Sequence, residues 1–110
     1  MAFDEQLADR IRGVMGAEGT VREQRMFGGL AVMVDGNMAV GVIGDELMVR
    51  VGPEGAPEAL AEPHTRAMDM AGRTMRGFIL VSPEGVEDEG DLAHWVSRGV
   101  ALARSLPPKA

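Results

Sequence analysis

Residues 30–51 read LAVMVDGNMAVGVIGDELMVRV, and this stretch decides the fold. Leu30 to Val34, Met38 to Ile43 and Leu47 to Val51 are short runs of β-compatible residues. Asp35-Gly36-Asn37 and Gly44-Asp45-Glu46 separate them, turn sequences that join antiparallel neighbours. Three strands in a meander follow. Alternation sets Leu30, Val32 and Val34 on one face, and Leu47, Val49 and Val51 on one face with Met48 and Arg50 on the other. One face of the sheet is therefore apolar and the other mixed.

The segments on either side have a different period. From Asp4 to Met15, Phe3, Leu7, Ile11 and Val14 or Met15 recur at helical spacing, with Glu5, Asp9, Arg10 and Arg12 elsewhere on the wheel, and Gly16 and Gly19 are read as its end. Downstream, Pro57-Glu58-Ala59-Leu60-Ala61 suits a short helix with proline in its first turn. Arg66 to Met70 and Met75 to Val81 predict two more strands around Ala71-Gly72-Arg73-Thr74, with Phe78 and Leu80 on one face and Ile79 and Val81 on the other. The acids from Glu87 to Asp91 then precede a stripe of Leu92, Trp95, Val96, Val100 and Ala103, which Leu106-Pro107-Pro108 stops. The expected fold is a two-layer α+β domain in the order α-β-β-β-α-β-β-α, a five-stranded antiparallel sheet with helices on its apolar face. It is read as one domain over residues 1–106 with a short tail over 107–110.

Composition narrows the function. The chain of 110 residues has no cysteine, which excludes thiol nucleophiles, disulfides and cysteine-based zinc sites. The N-terminal MAFDEQLADRIRGV is neither a signal peptide nor a membrane span, so a cytoplasmic protein is expected. Ten arginines and one lysine against seventeen acids give a formal net charge of −6, which disfavours direct DNA binding. The charge is uneven: Arg66, Arg73 and Arg76 lie in a stretch whose only acid is Asp69, whereas Glu84, Glu87, Asp88, Glu89 and Asp91 follow close together.

Catalytic chemistry finds few candidates. His64 and His94 are the only histidines, with no HxxxH or HxxE spacing, so no metal site and no cofactor is expected. Ser82, Ser97 and Ser105 sit in no GxSxG context. The stretch Arg25-Met26-Phe27-Gly28-Gly29-Leu30 lacks a phosphate-loop ending and precedes a strand, where a nucleotide-binding glycine loop follows one. Gly28-Gly29 is read as a bulge or a close backbone approach, with Phe27 anchoring the bend in the core. The arginines in or beside strands, above all Arg25, Arg50 and Arg73, are candidate binding residues for a carboxylate or phosphate; surface pairing with Asp35, Asp45, Glu46 or Asp69 is the other reading. Nine methionines fit either core filling or an adaptable apolar surface, and the second applies if Met33 and Met48 share the face of Arg50.

The wording of these parts resembles the N-terminal domain of the TfoX/Sxy family of competence regulators. The residues that carry the resemblance are Arg25-Met26-Phe27-Gly28-Gly29, the Asp35-Gly36 turn, Glu46-Leu47-Met48-Val49-Arg50-Val51, Met75-Arg76-Gly77-Phe78 and the late Trp95. The resemblance implies an α+β fold and a relation to proteins that regulate natural transformation with transcription factors. Full-length members of that type also carry a second, C-terminal helical domain, and many short proteins look like this single domain. The chain is expected to be a stand-alone single-domain member. At Arg50 lysine, whose hydrogen-bond geometry differs, is expected in many members. The expected function is a non-enzymatic regulatory or protein-interaction domain, with another protein or a second copy of the chain as partner. The alternative is a small-molecule or anion-binding domain using the arginines beside the sheet.

Overall fold

The computed structural model describes residues 3–15, 21–26, 28–70 and 72–108. Helix α1 (Glu5–Met15) starts where the Asp4 carboxylate accepts from the backbone N–H groups of Gln6 and Leu7, at 2.9 and 3.1 Å. Its buried residues Leu7, Ala8, Ile11 and Met15 form the stripe anticipated from the spacing. The helix end read at Gly16 and Gly19, and the bend residue Phe27, lie outside the described residues.

Six strands, one more than expected, pair in the order β1-β2-β3-β4-β6-β5, every neighbour antiparallel. They are β1 (Val21–Met26), β2 (Gly29–Val34), β3 (Asn37–Ile43), β4 (Glu46–Arg50), β5 (Thr65–Met70) and β6 (Arg73–Val81). The additional strand is β1, VREQRM, an edge strand whose four central residues are exposed. A strand bonded on one side only and largely solvated carries charge on both faces, so it has no hydrophobic period to announce it.

The face reading holds through the register. Leu30 opposes Val42, Val32 opposes Val40, Leu47 opposes Val81 and Val49 opposes Ile79, all in the main core. The register shifts beside Met33, so Ala39 and Val40 both join that core while Met38 turns to the opposite side. Helix α3 (Glu89–Ser105) crosses closely at this shift: a Cβ on Gly99 would meet the Ala39 carbonyl oxygen. The short α2 (Ala56–Leu60), with Pro57 in its first turn as anticipated, also sends Ala59 into the main core. All three helices thus cover one face of the sheet.

Among the described residues, no helix is long and apolar enough to cross a membrane.

Candidate functional site

The opposite face of the sheet carries a second apolar cluster. Its buried members are Met48, Met68 and Leu80, against which Met38, Ile43, Met75 and Phe78 pack half-buried. Every one comes from a strand, and among the described residues no helix contributes to it. Met33 stands on this same side, since Val32 and Val34 point into the main core on either side of it. Met33, Met48 and Arg50 therefore share a face, on which Met48 and Met68 are buried as core filling requires and Met33, Met38 and Met75 are half-buried.

Local geometry explains how Met48 is 1% exposed without a covering layer. It opposes Gly41, and a Cβ at Gly41 would lie 2.9 Å from the Met48 Cε. The thioether thus lies in the space that a side chain at 41 would fill. Leu80 is flanked across the ladder by Met48 and Arg66, and Arg66 reaches over β6 to Glu46, with Nη2 to Oε1 at 2.5 Å. The hydrogen bond to that carboxylate raises the Arg66 guanidinium above its ordinary pKa.

Arg50 belongs to the face itself. Its guanidinium stands 5.5 Å from the Phe78 ring centroid, and Nη1 donates to the Met38 carbonyl oxygen at 3.4 Å. Arg25 lies elsewhere: it opposes Leu30, on the helix side, with its guanidinium 5.2 Å from the Phe3 ring centroid. Arg73 begins β6 at the hairpin end and is exposed. The structure does not bring Arg25 and Arg50 together, because they project from opposite faces and from strands separated by β2 and β3. Of the alternative pairings, Arg66 with Glu46 is formed.

The family-marker residues have structural places. Gly28 turns between β1 and β2 with φ +73°, a left-handed conformation that glycine adopts without strain. Gly29 faces β3 so closely that a Cβ would meet the Val42 carbonyl oxygen. This is the close backbone approach anticipated there, although the pair joins two strands instead of opening the sheet. Met26 ends β1 half-buried.

A cleft of about 410 Å³ adjoins the second cluster. It lies between α2 and β6, and Leu60, Met75, Arg76 and Phe78 are among the residues lining it. The sequence did not show this cleft. Its signal was Gly77, whose φ of +83° accompanies a shift of register between β5 and β6. The Gly77 carbonyl accepts from the N–H groups of Val51 and Gly52, at 2.8 and 3.0 Å, and so ties down the loop that leads to α2.

The histidines do not converge. His64 is exposed in the turn before β5, while His94 on α3 faces Glu62 at 3.4 Å and the Trp95 ring edge-on. Among the described residues, no group of three or more His, Asp or Glu could hold a metal ion.

Comparison with known proteins gives one family: the profile described as TfoX N-terminal domain matches residues 14–103, most of the chain. No curated protein matches.

Proposed function

The chain belongs to the TfoX N-terminal domain family, and from that membership we propose that it is a non-enzymatic regulatory domain that binds another protein through the Met-rich sheet face. The observation that carries this reading is the second cluster, built from strands alone and left without a helical cover among the described residues. Half-buried Met33, Met38, Met75 and Ile43 offer flexible apolar side chains, and such side chains adapt to a partner's relief. Arg50, held against Phe78, supplies a fixed cation at the same surface, suited to a carboxylate on the partner. The regulatory part of the reading rests on the resemblance to competence regulators that work with transcription factors.

The test is affinity capture from native lysate with the wild-type chain and with Met38→Asp. Met38 is half-buried at the surface of the face, so the charge is placed where a partner would sit and not in the main core. A specific protein recovered by the wild type and lost with the folded variant is expected. Equal recovery by both, or no specific protein at all, would contradict the reading.

A further inference from the structure

The cleft between α2 and β6 has features that the face reading leaves unused. Leu60, 39% exposed, is the one exposed large hydrophobic residue among those described, and it lines this cleft. Met75 and Phe78 line it too, and both also pack against the second cluster. Arg76 also lines it, exposed and with no ion-pair partner among the described residues. Among the described residues, none that lines it is acidic. In a chain of net charge −6, this is an apolar cleft with an arginine that makes no ion pair among those residues, and Arg50 stands 5.5 Å from the centroid of the Phe78 ring.

We propose that this cleft takes a short acidic peptide segment of a partner protein, one bulky apolar side chain seated on Leu60, Met75 and Phe78 and a neighbouring carboxylate held by Arg76. This rests on the reading of the chain as a protein-interaction domain and names the chemistry of its partner. Charge complementarity selects the occupant: apolar side chains beside one cation, with no acid among the described lining residues, suit an apolar side chain next to a carboxylate. An acidic segment with a protruding leucine or aromatic ring satisfies both halves of the cleft. Arg76 contributes a planar fork that grips a carboxylate through paired hydrogen bonds.

The probe is a fluorescent synthetic peptide alternating leucine with glutamate, titrated against the full chain by anisotropy at low and high salt. Its glutamine counterpart and an alternating leucine-lysine peptide serve as controls. The expected result is salt-sensitive binding of the glutamate peptide that shifts the Met75 methyl resonance. Binding should weaken by about tenfold, a loss of about 1.4 kcal/mol, when glutamine replaces glutamate or when Arg76 becomes Glu. The Arg76→Glu chain should gain affinity for the lysine peptide. Arg76→Gln provides a milder variant if the charge reversal disturbs folding, and should show the same loss for the glutamate peptide. No binding, equal binding of the glutamine peptide, or an unmoved Met75 methyl would overturn the proposal. So would self-association abolished by Arg76→Glu, which would assign the cleft to a second copy. If the peptide fails while Met38→Asp still loses its lysate partner, the cleft proposal falls alone; if Met38→Asp loses nothing, the face reading falls whatever the peptide does.

Discussion

At the scale of single residues, Asn37 shows how polar side chains organise this fold. It is 2% exposed at the start of β3, and its Nδ2 donates to the carbonyl oxygens of Pro107, at 3.0 Å, and Ala103, at 3.4 Å. Ala103 lies in the last turn of α3, where its carbonyl also accepts from the Leu106 N–H at 3.3 Å, and Pro107 lies just beyond the helix. One amide thus ties the sheet to the end of the last helix. Removing it takes away the hydrogen bond to the Pro107 carbonyl and the longer one to Ala103, a cost of about 0.5–1.5 kcal/mol. Urea denaturation of Asn37→Ala should show a destabilisation of that size, and Asn37→Asp, which cannot donate, should be no better. The sequence offered Asn37 only as a turn residue, because its partners are far along the chain. Gly41 was hidden in the same way: its lack of a side chain houses Met48, and only the pairing of β3 with β4 makes them neighbours. Leu47 and Val49, by contrast, were legible at once, since strand alternation alone fixes which side they take.

Among the elements, β1 is the one that composition concealed. Its link to α1 runs through Arg12, whose Nε and Nη2 meet the two carboxylate oxygens of Glu23 at 2.6 and 2.7 Å. The hydrogen bonds from Arg12 hold the Glu23 carboxyl below its ordinary pKa, against a smaller opposing push from burial. A depressed folded-state pKa means that this pair stabilises the fold above the ordinary carboxylate value of about 4.3, and that the contribution is lost as pH falls through the lower folded value. Both side chains are well exposed, at 42% and 34%, so solvent screening limits the effect to about 1 kcal/mol or less. In denaturation series, Glu23→Gln should be slightly less stable than wild type at neutral pH, the gap closing as the solution is acidified below pH ~4. A gap that stays constant through that range would mean the pair does not tie α1 to β1. Helices α1 and α3 were readable because each buries a periodic stripe, α2 from the proline in its first turn, and the other five strands from runs of β-compatible residues bounded by turn sequences, whereas the sequence of β1 has no buried stripe to read.

For the whole molecule, charge and apolarity divide between the two faces. The register puts Arg22, Arg50 and Arg66 on the uncovered face with Glu46. The helices and the segment leading into α3 carry Glu5, Asp9, Glu58, Glu84, Glu87, Asp88, Glu89 and Asp91. The few cations of the sheet face lie on an acidic molecule, so a phosphate backbone approaching it meets net repulsion. The chain should pass a duplex-DNA column without salt-sensitive retention; retention that falls steeply with added salt would contradict this division of charge. The layer arrangement was legible from the order of elements and from strand alternation. The candidate site was legible only as a condition on Met33, Met48 and Arg50, because burial of Met48 and the cleft beside Gly77 depend on contacts between distant strands. The central claim is that the Met-rich face is where a partner binds. Incorporating photoreactive methionine in place of methionine, irradiating the chain in native lysate and locating the cross-links by mass spectrometry tests it most directly. The account predicts partner cross-links concentrated at Met33, Met38 and Met75; cross-links confined to Met15 on the helix side, or none to any partner, would contradict it.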